Sequence, residues 1–293
     1  MPNLIIVSAK EEEAMIRQNI GSIQMALGDR ALAAESFDRS LSLYQKIGNG
    51  RRSAEVSRLL GNLHFESGAG NKAIENLNSA LTFYREKSEP LNISAILKEI
   101  GLIYLAAKDR RAVGSFEEAV PLEALRTGES GMAQSTAYLM WARNAFGDPK
   151  TAVFFGKLTA SLLSNGGVSG RVSSTGPDAS SFENSFRKLS EILKVEGRNA
   201  EAEEISKWWT AFVDAASRND PSTTLDELPS ITFTSSESAL AAEYGEHYRR
   251  MAELGSQATT VTDREIEKGS SAEINRAAGE FRQFLGSIPA RLD

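Results

Sequence analysis

The stretch IGSIQMALGDRALAAESFDRSL, from Ile20 to Leu41, decides the fold. It returns as LGNLHFESGAGNKAIENLNSAL from Leu60 to Leu81, and one residue shorter as IGLIYLAAKDRRAVGSFEEAV from Ile100 to Val120. Aligned on their early glycines, the copies set Gly21, Gly61 and Gly101 in register, followed by Ala33, Ala73 and Ala112. A recurrence of about forty residues marks a stacked array of helical hairpins. Glycine in a helix interior costs roughly 1 kcal/mol against alanine. Its return at one phase calls for a packing reason, and close contact between two helices supplies it. Ile20, Leu60 and Ile100 then point into the hairpin. Phe37, Leu77 and Phe116 fill the gap, and Leu41, Leu81 and Val120 close the far end.

Working outward, hydrophobic spacing predicts helices over 8–27, 30–47, 51–67, 71–87, 91–107 and 110–126. Ala14, Ile16, Ile20, Ile23 and Leu27 line one side of the first, and Ser8 with Glu11 has the form of a capping box. A fourth, degenerate unit follows over 132–146 and 149–163. Pro149 suits a first helical turn, and Met140-Trp141 stand where the glycine was. Residues 165–181 are rich in Gly and Ser and read as a flexible loop. No Gly-Lys-Ser/Thr follows and no strand precedes them, so they are not a phosphate loop. A fifth hairpin spans 182–195 and 199–218. A connector runs from 219 to 236, with Ser235 or Ser236 capping the next helix. Residues 237–257 and 263–285 carry a heptad-like stripe, best met by a long antiparallel hairpin.

The repeating unit resembles the tetratricopeptide repeat, which sets Leu-Gly, an aromatic, a glycine turn, Ala, an aromatic and a closing Ala-Leu at these spacings. Tyr104 holds the first aromatic position; Gln24 and His64 depart from it, and the unit is several residues longer than the family's commonest one. The fold class expected is all-α: a right-handed α-solenoid of tetratricopeptide-type hairpins over 1–218, a connector, and a helical hairpin over 237–293.

Composition narrows the function. The chain of 293 residues is 41% hydrophobic and 25% charged, as in soluble globular proteins. Its net charge of −6 argues against nucleic acid as a partner. No stretch approaches the ~20 apolar residues of a membrane span. Leu4 to Val7 is too short for a secretory core and lacks a basic flank, so the expectation is a cytoplasmic protein with no membrane partner. There is no cysteine, which removes thiolate ligands and cysteine nucleophiles. No cofactor and no metal are expected.

A second resemblance covers Ala152 to Leu254. AVFFGKLTASLLS (152–164), FRKLSEILKVEGRNAEAEEISKWW (186–209) and FTSSESALAAEY (233–244) are similar to the region preceding the peptidase in bacterial TPR–CHAT proteins. Phe155, Gly156, Lys157, Phe186, Arg187, Leu189, Leu193, Gly197, Arg198, Glu201, Ala202 and Glu237 carry it. That family's CHAT domain is a caspase-like cysteine peptidase with a His–Cys dyad, and no cysteine is present here. The resemblance implies a non-enzymatic regulatory module, one that binds a partner and controls a CHAT-type protease.

Candidate binding residues follow from register. Gln18, Ser22 and Met25 line the first helix of unit one; Arg58, Asn62 and Phe65 that of unit two; Lys98, Leu102 and Leu105 that of unit three. Arg58, Asn62 and Lys98 resemble the positions with which some tetratricopeptide proteins clamp a peptide carboxylate, since converging charge-assisted donors are strong and directional. Leu102 stands where a clamp wants a donor, and a solvated helix face is the plainer reading. Trp208 and Trp209 are adjacent, so one is expected inside and the other as a candidate anchor for an effector domain. His64 reads as a half-buried packing residue. His247, one turn after Glu243, reads as an exposed pair rather than a metal site. The leading function is a protein–protein interaction scaffold taking a peptide or helix. Alternatives are a fragment of a peptidase continuing past Asp293, or a small-molecule sensor.

Overall fold

The computed structural model describes residues 2–125, 129–165, 177–217, 228–260 and 264–292. Among them are twelve α-helices and no strand. The chain divides into two compact units, Met1–Ala106 and Ala107–Asp293.

The first unit holds α1 (Pro2–Ala26), α2 (Arg30–Lys46), α3 (Gly50–Glu66), α4 (Gly70–Glu86) and α5 (Pro90–Ala106). The helices α1 and α2 form one hairpin, α3 and α4 the next, and α2 packs on α3 as α4 packs on α5. This is a solenoid of hairpins, with a continuous core of Ala14, Ala33, Phe37, Tyr44, Val56, Leu60 and Leu63 at its start. The register glycines do what the pattern demands. A Cβ on Gly21 would stand 2.8 Å from the Phe37 ring, and one on Gly61 would stand 2.7 Å from Leu77. Ala33, Ala73, Phe37 and Leu77 are fully buried between the paired helices.

Each hairpin turn has one geometry, repeated every twenty residues. Gly28, Gly48, Gly68, Ser88 and Lys108 all take a positive φ, between 54° and 86°. The turn at Gly28 is a Schellman motif, with Gly28 N–H donating to the Met25 carbonyl and Asp29 N–H to that of Gln24. Ser88 adopts the same turn without being glycine: its N–H donates to the Arg85 carbonyl and Glu89 N–H to that of Tyr84. No glycine marks this turn; Pro90, which opens α5, does.

Two expectations for the first helix are corrected. Ser8 lies inside α1, which begins at Pro2, so it caps nothing. Ile16, Ile20, Ile23 and Leu27 do not join Ala14 in the core; Ala14 is fully buried, and these four are 41–73% exposed.

The second unit holds α6 (Arg111–Glu123), α7 (Glu129–Ala145), α8 (Pro149–Asn165), α9 (Pro177–Val195), α10 (Asn199–Ser217), α11 (Ser235–Thr260) and α12 (Arg264–Ser287), closed by a 3₁₀ turn at Ile288–Ala290. α7 pairs with α8, α9 with α10 and α11 with α12. The loop expected at 165–181 falls partly outside the described residues, at 166–176, and α9 starts at Pro177. Much of the connector, 218–227, also lies outside them. The terminal hairpin is not a body apart: α12 and α11 pack on α6 within this unit. Gly255 of α11 makes that possible, because a Cβ there would lie 1.8 Å from the Leu125 carbonyl oxygen.

Candidate functional site

The face presented by α1, α3 and α5 gathers the candidate residues of the first unit. One repeat of offset brings α3 beside α5, and with it Arg58 beside Glu99. The Arg58 Nε donates to both Glu99 oxygens at 3.0 and 3.1 Å, and its Nη2 donates to Oε1 at 2.7 Å. Asn62 Nδ2 adds a longer bond to the same oxygen at 3.3 Å. The hydrogen bonds to Glu99 raise the guanidinium pKa and outweigh the burial that lowers it. Arg58 and Asn62 thus meet around an internal carboxylate, Glu99, that the sequence does not pair with them.

The other candidates on this face are apolar or amide. Phe65 is 37% exposed. Leu102 and Leu105 are half-buried, and Met25 packs in part against the core beneath. Ser22 is exposed and its hydroxyl is turned back to the Gln18 carbonyl at 3.1 Å. The Gln18 side-chain oxygen is buried and has no hydrogen-bond partner among the described residues. Lys98 is half-buried. This is a face of mixed chemistry, with a charged tie in the middle and apolar side chains at both flanks.

The second unit contains a charged cluster at the start of α11. Lys157, 1% exposed at its side chain, donates to Glu237 at 2.8 Å and to the Thr232 carbonyl at 2.6 Å, and it also bonds Glu201. Arg198 grips Glu201 at 2.7 and 2.8 Å and reaches Glu237 at 2.9 Å. Two cations and two carboxylates close on one another, so no net charge is buried. Burial pushes the Glu201 carboxyl up, and the hydrogen bonds from Arg198 and Lys157 overcome it and hold it below the usual range. Glu237 also closes a capping box. Its carboxylate accepts from the Thr234 N–H at 2.8 Å, and Thr234 Oγ1 accepts from the Glu237 N–H at 3.2 Å. Thr234, not Ser235 or Ser236, is therefore the N-cap of α11. All four residues of the cluster carry the second resemblance; Arg198 and Glu201 lie one turn apart, but nothing in the sequence joins that pair to Lys157 or to Glu237.

Trp208 cannot be a surface anchor. It is fully buried, its Nε1 donates to Ser164 at 3.2 Å, and it stacks on Phe212 with centroids 5.1 Å apart. Trp209 is half-buried and stacks on Phe186 at 5.0 Å and on Phe212 at 5.8 Å. Both tryptophans join one aromatic cluster because Phe186 and Phe212 lie between them, which adjacency on a single helix does not reveal. His64 is half-buried. His247 is not an exposed pair with Glu243. Its ring lies flat on Phe281, 5.1 Å away, and burial lowers its pKa. Glu243 is held by Arg291 at 2.5 Å instead. Among the described residues, no group of three His, Asp or Glu could hold a metal, and no helix is long and apolar enough to cross a membrane.

Residues 12–86, within α1 to α4, match the tetratricopeptide repeat family model. No curated protein sequence matches the chain significantly. Two crystal structures share the fold. One is of the MamA protein, with a TM-score of 0.50 at 16% identity, over 71% of this chain and 96% of that one. The other is of a Rap protein complexed with Competence and Sporulation Factor, with a TM-score of 0.51 at 14% identity, over 94% of this chain and 76% of that one. Repeat arrays of this kind present extended surfaces on which other proteins bind.

Proposed function

We propose that the chain is a protein-interaction scaffold, and that the face of α1, α3 and α5 takes a segment of a partner protein. The observation that carries this reading is Phe65. A phenylalanine 37% exposed in the middle of a repeat face, at the register of Met25 and Leu105, offers an apolar anchor point. Two turns nearer the start of α3, Glu99 occupies the Arg58 guanidinium, as an acidic side chain of the partner would. The segment therefore pairs an apolar residue with a nearby carboxylate, which displaces Glu99 on binding. The Rap protein bound to its factor supports the idea that this fold accommodates such a ligand.

The test is an affinity series on the isolated partner segment. Phe65→Ala weakens binding at least tenfold. Glu99→Gln tightens it, because the competing charge is gone, while Arg58→Ala weakens it. Unchanged affinity in all three removes this face from the function.

A finer reading makes the partner a CHAT-type peptidase. What favours it is that Lys157, Arg198, Glu201 and Glu237, all among the residues of that resemblance, form one interdependent cluster. In this reading half-buried Trp209 lies toward the effector. Adding the purified chain to a CHAT peptidase changes its cleavage rate, and Trp209→Ala reduces that change. An unaltered rate in both cases rejects the peptidase as partner and leaves the scaffold reading standing.

A further inference from the structure

A groove of about 560 Å³ lies between α7 and α9, lined by Trp141, Asn184, Arg187, Lys188 and Glu191. The left-handed turn residues fix which face this is. Arg58, Lys98 and Arg187 stand ten residues before Gly68, Lys108 and Gly197. Asn62, Leu102, Trp141 and Glu191 stand six before Gly68, Lys108, Gly147 and Gly197. The groove therefore occupies, in the second unit, the register that carries the candidate residues of the first. Its charge is different. In α5 the cation at this register, Lys98, is followed by Glu99, the carboxylate that occupies Arg58. In α9 the cation is followed by a second one, Lys188. Arg187 is exposed, and its only bond among the described residues runs from Nη2 to the neutral side-chain oxygen of Asn184. Lys188 meets Glu191 at 3.0 Å, which leaves the groove with a net positive charge in a chain whose net charge is −6. Trp141 is half-buried beside them, its ring fixed by a hydrogen bond from Nε1 to Ser185 at 3.0 Å.

We infer that this groove binds an acidic segment of a protein chain, one carboxylate of which takes Arg187 while an apolar neighbour packs on Trp141. A guanidinium holds a carboxylate through two parallel hydrogen bonds. Arg58 must release Glu99 before it can do so, whereas Arg187 has only a neutral amide to give up, and its departure leaves no charge bare. Lys188 adds to the attraction from the next position in the chain. The volume is in the usual range of ligand sites, but such sites bury most of a small ligand's surface. Here Asn184, Arg187 and Glu191 are themselves exposed, so the groove covers its ligand from one side only. That suits a segment held at further points along its length, not a free small molecule. The site shares no residue with the α1–α3–α5 face and lies wholly within the second unit.

Nuclear magnetic resonance of the indole N–H groups of the full chain tests this, because the chain has three tryptophans and Trp141→Phe identifies the resonance of interest. The probes are acetyl-Gly-Asp-Phe-Asp-Gly-amide, the same peptide with Asn in place of Asp, and sodium acetate. The acidic peptide shifts the Trp141 resonance saturably and leaves that of fully buried Trp208 in place. The neutral peptide binds at least tenfold more weakly. Arg187→Gln weakens the acidic peptide at least tenfold with an unchanged thermal melt, since the side chain is exposed. Phe65→Ala leaves this titration as it was, so failure of the groove and failure of the α1–α3–α5 face are told apart. The inference is overturned by a Trp141 resonance that the acidic peptide does not move, by equal affinity for the neutral peptide, or by indifference to Arg187→Gln. Acetate that matches the peptide in affinity also overturns it, and makes the groove a site for small carboxylates.

Discussion

Arg58 and Glu99, one repeat apart, close on each other through three hydrogen bonds of 2.7 to 3.1 Å, with both side chains still partly in contact with solvent. The pair ties α3 to α5 at the face where a partner is expected to bind. Partly exposed ion pairs contribute about 1 kcal/mol or less. Arg58→Ala and Glu99→Ala should each lower the unfolding free energy in urea by about that much, and the double variant should lose little more than either single one. A large loss would mean that the pair holds the first unit together and is not available for exchange with a ligand.

Gly255 lies against the Leu125 backbone, which cannot move aside as a side-chain tip can. Gly255→Ala should destabilise the second unit by at least about 3 kcal/mol, beyond the usual cost of overpacking, despite the better helix propensity of alanine. At Gly245 and Gly279, also helical, a Cβ meets nothing within 4 Å. Alanine there should stabilise the chain by up to about 1 kcal/mol. Thermal melts of the three variants separate these cases, and equal effects would refute the close approach of α11 to α6.

Lys157 is the only cation that bonds both Glu201 and Glu237 while being itself almost fully buried, among the described residues. Breaking a buried ion pair from one side leaves an uncompensated charge and costs roughly 3–5 kcal/mol. Lys157→Met should show that loss, and Lys157→Met/Glu237→Gln should recover part of it. Since the Glu201 carboxyl is held low when folded, the stability linked to its ionisation is complete above its unfolded value near 4.5 and is lost as pH falls through the lower folded value.

His247 gives a separate pH dependence. Burial against Phe281 and Phe284 lowers its folded pKa below 6.5, although Glu243, Glu280 and Glu246 oppose the shift. Above about pH 6.5 the ring is neutral in both states and the full stability is present. As pH falls through that value the unfolded chain takes up the proton first, so stability declines until the folded form titrates as well. His247→Phe should flatten the stability profile between pH 7 and pH 5 in denaturant titrations. An identical slope in the variant would show that the ring is not the source.

The repeat was legible because its demands are local. Gly21 against Phe37 and Gly61 against Leu77 are contacts between two helices joined by one turn, and a forty-residue recurrence encodes them directly. Bounds of α2 to α5 followed to within one residue for the same reason, whereas α1 and α9 begin earlier than expected, at Pro2 and Pro177. What stayed hidden depends on partners distant in sequence. Glu99 on Arg58, Glu237 on Lys157 and Phe281 under His247 are each contacts between particular side chains that the repeat and the heptad-like stripe do not specify. Ser88 was hidden differently: it adopts a left-handed turn that glycine usually marks. Ile20 misled because it carries the residue type of the buried register yet stands 41% exposed on α1.

The central claim is that the face of α1, α3 and α5 receives a partner protein, and site-specific photo-crosslinking tests it most directly. A benzophenone amino acid is placed at Phe65 and Leu105 on that face, and at exposed Asp38 and Asn78 on α2 and α4. The account predicts that one partner polypeptide crosslinks from Phe65 and Leu105, not from Asp38 or Asn78, and is lost on adding excess of the unlabelled chain. Crosslinks that arise equally from all four positions, or only from α2 and α4, would contradict it.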